Sequence, residues 1–117
     1  MSYSMSVRFK AEPLRSLAFG SIGATYMGLG TSFVHPIRLI FLQNLTNQLL
    51  LFSLDGINDH IVLPPSGFLL LDITSNKTRE QGWYIAEGDR IYVKEDGAAP
   101  TTGGVALSAF YGSDLGS

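Results

Sequence analysis

The residues best equipped for chemistry stand together in "DGINDH", positions 55–60. Two carboxylates, Asp55 and Asp59, flank Gly56, and His60 follows directly. That set suggests a cation site or an acid–base pair. A calcium loop needs about five or more oxygen ligands, with acids at alternating positions and a Glu further on. Here the two acids are four apart and the next Glu is Glu80. The stretch therefore reads as a turn: Gly56 takes a positive φ, Asp55 bonds its own backbone, and a strand resumes at Ile61. His60 and Asp59 are two members of a triad by type, but neighbours on a strand point to opposite faces. No G-x-S-x-G elbow supplies a serine. His35 precedes Pro36, which holds it extended, and no H-x-H or H-x₃-H spacing points to a metal. The chain has no cysteine, which excludes disulfides, thiolate metal sites and a cysteine nucleophile. No catalytic residue, cofactor or metal is expected. Carboxylates that meet only in space stay open. So does an aromatic platform for sugars on the adjacent strands that carry Trp83, Tyr84 and Tyr92. Trp83 and Tyr84 alternate faces, so only one of them can join Tyr92.

The composition bounds what positions these groups. The chain has 117 residues, with charged residues at 15% and hydrophobic ones at 45%. Its mean hydropathy is +0.19. Soluble domains usually carry about 25% charge, so the expectation is apolar surface covered by another protein. The net charge of −2 offers no bulk support for nucleic-acid binding. Residues 1–38 carry Arg8, Lys10, Arg15 and Arg38 against Glu12, a net of +3, while residues 39–117 are net −5. A basic segment on an acidic body suits subunit contacts. The opening "MSYSMSVRFKAEPLRS" lacks an apolar h-region. No window offers the ~18 uninterrupted apolar residues of a membrane helix. The N-x-T sequons at Asn44 and Asn76 read as turns.

Thirteen glycines and five prolines break the chain into short pieces, which suits strands better than helices. "SLAFGSIGATYM" (16–27) reads as an edge strand or extended arm. "HPIRLIFLQNL" (35–45) is the clearest central strand. It puts Ile37, Leu39, Phe41 and Gln43 on one side and Arg38, Ile40 and Leu42 on the other, with both sides largely apolar. Further strands are expected at 48–54, 61–63, 68–73, 83–86, 90–95 and 105–111, with a turn at Gly88 between 83–86 and 90–95. A helical reading of 37–54 is the alternative, because short apolar runs are ambiguous by period. The whole gives about seven or eight strands with turns every ~8–12 residues, the pattern of an all-β sandwich or small barrel.

Three stretches together carry a resemblance to a known class. "SIGATYMGLGTSFVHPIRLIFLQNLTNQLLLFSLDG" (21–56), "FLLLDITSNK" (68–77) and "YVKEDGAAPTTGGVALSAFYG" (92–112) resemble the opening, central strand and closing hairpin of small structural proteins of tailed-bacteriophage virions. The resemblance implies a single antiparallel β-sandwich, with jelly-roll-like winding as one form of it, repeated many times in a particle. It implies a non-enzymatic decoration, cement, neck or tail protein located in the virion. Its partners would be copies of itself and other virion proteins such as major capsid, portal or tail proteins, with no nucleic acid and no membrane. The expected organisation is an N-terminal arm over 1–14, a sandwich over 15–112 and a tail over 113–117. Arg8, Lys10 and Arg15 of the arm region and Ile40 and Leu42 of the central strand are the expected assembly contacts. The runner-up function is a carbohydrate- or receptor-binding sandwich using Trp83 and Tyr92.

Overall fold

The computed structural model of the chain describes residues 7–72, 85, 86 and 88–114, those at 7–9, 113 and 114 by backbone alone. Nine strands are present among them: β1 Val7–Ala11, β2 Arg15–Ala18, β3 Met27–Gly28, β4 Ile37–Asn44, β5 Leu50–Ser53, β6 Ile61–Leu63, β7 Phe68–Asp72, β8 Tyr92–Glu95 and β9 Gly104–Asp114. One sheet runs β1-β9-β4-β7, with β2 also on β9, and the other runs β3-β8-β5-β6. All pairings are antiparallel. The protein is a β-sandwich, and the helical reading of 37–54 gives way to β4 and β5.

The topology follows from one long hairpin wound on itself. β1 and β2 lie along successive halves of β9, opposite 110–114 and 104–107, so they act as one edge strand interrupted at residues 12–14. Counted that way there are eight strands. The first pairs the eighth, the second the seventh, the third the sixth and the fourth the fifth. Contacts of β9 with β4 and of β8 with β5 then complete two four-stranded sheets. That winding is a jelly roll.

The core lies between the sheets, where Ile40, Leu42, Leu50, Phe52, Val93, Val105 and Leu107 are buried. Alternation explains most of it: β5 buries Leu50 and Phe52, and β9 buries Val105, Leu107 and Ala109. On β4 the register shifts between Ile37 and Leu39. This bulge turns Ile37 inward with Ile40 and Leu42, so strict alternation from Ile37 misassigns it. The turn at Gly88 exists, with φ +90°, but it does not close the expected hairpin. Ile85 bridges to Ile37 in the first sheet while β8 belongs to the second, so this turn passes the chain between layers.

The terminal boundaries also change. Residues 7–11 form a sheet strand and Glu12 is buried, so the sandwich begins before residue 15. β9 runs to Asp114, past the expected end at 112.

At the 44–48 turn, Asn44 Nδ2 donates to the carbonyls of Gln48, Leu63 and Pro64, and its Oδ1 accepts from Thr46 N–H and Oγ1. The first sequon is thus a buried side-chain hub that ties β4 to the end of β6. Asn76 lies outside the described residues.

Candidate functional site

The "DGINDH" loop is built around one carboxylate. Asp55 Oδ1 accepts from the N–H groups of Ile57 and Asn58 at 2.8 Å each and from Ser53 Oγ at 2.8 Å, and Oδ2 accepts from Asn58 Nδ2 at 2.9 Å. Ser53 Oγ in turn accepts from the N–H groups of Asp55 and Gly56, and His60 Nδ1 accepts from Leu54 N–H. These bonds tie the carboxylate to its own loop. They hold the Asp55 carboxyl well below its ordinary 3.8, chiefly through the Asn58 and Ile57 N–H groups. Gly56 sits at φ +77°, and a Cβ there would lie 3.4 Å from the Tyr92 ring. The turn is thus what Asp-Gly dictates locally.

Gly56→Val is expected to cost roughly 1–2 kcal/mol, read as a fall in the urea midpoint. Because the Asp55 pKa is depressed, the loop's contribution is complete above about pH 3.8 and is lost only as pH falls through the lower folded value. The Ile57 and Asn58 amides should therefore stay protected from exchange at pH 4, and Asp55→Ala should remove that protection at any pH.

The loop is stapled to the outer face of the second sheet. Tyr26 O–H donates to Asp59 Oδ1, Lys94 Nζ lies 3.5 Å from the same oxygen, and the ammonium sits 4.8 Å from the Tyr26 ring centroid. Burial first, then Asp59, pushes the Tyr26 hydroxyl pKa up, so it stays a donor at neutral pH. The Tyr26 hydrogen bond above all draws Asp59 down.

A second polar cluster was not legible in the sequence. Glu12 and Arg15 are each only 6% exposed, and Glu12 Oε1 accepts from Arg15 Nη2 at 2.7 Å. Glu12 Oε2 accepts from the Val34 and His35 N–H groups and lies 2.9 Å from His35 Nδ1. An ionised carboxylate only accepts, so His35 Nδ1 carries the proton. Arg15 also donates to the carbonyls of Thr31, Ser32 and Pro13 and lies over the Phe33 ring. His35 stacks on Tyr111 with centroids 3.7 Å apart. A carboxylate-held histidine is part of a nucleophilic triad. Among the described residues, however, no hydroxyl bonds His35, and Glu12 is fully used in fastening the edge-strand interruption to residues 31–35. The spacing "E-P-L-R" was the only local signal, and its closure by His35 is non-local.

The expected assembly contacts fall in different places. Ile40 and Leu42 are 0% exposed, so they are core and cannot meet a partner. Arg15 is buried in its own chain's ion pair and cannot meet one either. Lys10 is half-buried on β1, and Arg8 pairs Ser113 by backbone. Tyr92 is half-buried, with its ring beside Gly56 and near the Arg90 guanidinium. Trp83 lies outside the described residues.

One group of exposed apolar side chains lies on the outer side of the first sheet. Phe68 is 63% and Leu70 56% exposed. By register Phe68 stands opposite Gln43 and Leu70 opposite Phe41, and the Phe41 and Phe68 rings meet at 5.6 Å. Leu39 and Phe110 continue the outward row. Among the described residues no group of three His, Cys, Asp or Glu side chains could hold a metal ion, and no helix is long and apolar enough to cross a membrane. Compared with protein-family models, curated proteins and solved structures, the chain matches none.

Proposed function

We propose that the protein is a non-enzymatic structural subunit of a tailed-bacteriophage virion, assembled in many copies on the capsid or at the neck or tail. The observation that carries the reading is the outward face of β4 and β7, where Phe41, Phe68 and Leu70 form an apolar strip on a sandwich low in charge. Contiguous apolar surface of this kind marks protein contact. The sequence resemblance supplies the virion, and jelly rolls recur in capsid proteins. The partners in this reading are identical copies and other virion proteins.

Mass spectrometry of density-purified particles from the source lysate is the test. The protein should be present at many copies per particle, and its absence from intact particles would defeat the reading. Phe68→Ser should leave the thermal midpoint within a few degrees, since exposed positions cost little, yet reduce the mass seen by light scattering and the occupancy of particles.

A further inference from the structure

Two Asp-Gly pairs occur in the chain, Asp55-Gly56 and Asp96-Gly97. We infer that Asp96-Gly97 is a site of spontaneous isomerisation to isoaspartate in the folded protein, and that Asp55-Gly56, the same pair chemically, is protected by its loop. This chemistry is independent of the structural-subunit reading above.

An aspartyl residue carries an electrophile, its side-chain carboxyl carbon, within reach of the next residue's backbone nitrogen. In the neutral acid form that nitrogen bonds Cγ, and the acid hydroxyl and the amide proton leave together as one water. The product is a five-membered succinimide, which a second water opens. Addition at Cγ restores aspartate. Addition at the backbone carbonyl carbon breaks that carbon's bond to nitrogen. The chain then runs on through Cβ and Cγ, and the former backbone carbonyl becomes a free carboxylate. Nothing is oxidised or reduced, and water is the only co-reactant. Glycine is the most open neighbour, because it has no Cβ to crowd the attack. The reaction needs a carboxyl free to turn back on the next nitrogen and a backbone free to follow.

Asp55-Gly56 lacks both freedoms. Its carboxylate is held toward the Ile57 and Asn58 N–H groups, Ser53 Oγ and Asn58 Nδ2. The Gly56 N–H itself donates to Ser53 Oγ at 2.9 Å, and the Tyr92 ring lies beside Gly56. Each hydrogen bond to a carboxylate that must break first slows the reaction by roughly tenfold or more.

Asp96-Gly97 has both. It opens the connection from β8 to β9, where residues 96–99 are all exposed. A Cβ at Gly97 would meet nothing within 4 Å. Among the described residues no hydrogen bond or ion pair engages the Asp96 carboxylate or the Gly97 N–H. The connection is fastened on either side of this stretch. Glu95 N–H donates to Gly23 O. Pro100 is buried, Thr101 exchanges two hydrogen bonds with Asn47, and Gly103 O accepts from Phe19 N–H. The extra backbone carbon of isoaspartate is therefore absorbed in an exposed turn, and the sandwich stays folded.

The test compares the two pairs within one molecule. The full chain is incubated folded at about pH 5, where its stability should hold, and in parallel in urea. Trypsin cuts after Arg38, Lys77 and Lys94, so the pairs fall in different peptides. Chromatography with electron-transfer fragmentation then assigns isoaspartate to a residue. In urea both pairs should convert at similar rates. In the folded protein Asp96 should convert faster than Asp55 by roughly tenfold or more, with the circular dichroism unchanged. Asp96→Glu should keep the fold and abolish the product at that position, because the larger ring closes far more slowly. Equal rates at the two pairs in the folded protein would overturn the proposal. So would folded protein that forms no isoaspartate at Asp96.

Discussion

Glu12→Ala is expected to destabilise the sandwich by about 3–5 kcal/mol, the usual loss when one member of a buried ion pair is removed. The substitution leaves the Arg15 guanidinium buried without its carboxylate and strips the acceptor from the Val34 and His35 N–H groups. It should appear as a lower urea midpoint with an unchanged slope. Replacing the pair together, Glu12→Leu with Arg15→Met, should recover much of the loss, because apolar isosteres carry no desolvation cost.

The pH dependence has a definite sign. Burial alone would raise the Glu12 carboxyl, but the His35 and Arg15 side chains and the His35 and Val34 N–H groups outweigh it and hold the pKa below its ordinary 4.5. A carboxyl depressed in the folded state contributes fully above its unfolded value and less as pH falls through the folded one. Wild-type stability should hold down to about pH 5 and then decline. In Glu12→Ala the decline should be shallower, with Asp55 and Asp59 supplying what remains.

Asn44→Ala should cost about 3 kcal/mol, because buried polar groups left without partners each lose roughly 1–3 kcal/mol. The groups concerned are the Leu63, Pro64 and Gln48 carbonyls and the Thr46 N–H and hydroxyl. Asn44→Asp should be worse, since it aims a carboxylate at three carbonyl oxygens. Thermal melts of the two variants would rank them. The same geometry makes the folded Asn44 sequon a poor glycosylation acceptor, because its amide nitrogen is bonded on all available sides.

The legible part of this protein is local. Asp55-Gly56, Pro64-Pro65 and Ser66-Gly67 mark turns because their backbone chemistry is local, and the strands between them, Leu50–Ser53, Ile61–Leu63 and Phe68–Asp72, follow from where the turns stop. The low charge announces apolar surface somewhere. Which surface it is depends on contacts between distant residues. Alternation tells two faces of a strand apart, but it cannot say which is inward when both are apolar. On β4 the choice went to Ile40 and Leu42 because of the bulge after Ile37 and the partners on β5 and β9, leaving Phe41 outside with Phe68 and Leu70. Glu12 likewise finds His35 only when the edge strand closes against residues 31–35. Turns and strand existence are determined by the sequence because their energetics lie within a few residues. Facing, bulge placement and ion-pair partners were decided by the tertiary structure, because each is a choice among pairings that the local chain leaves nearly equal in energy.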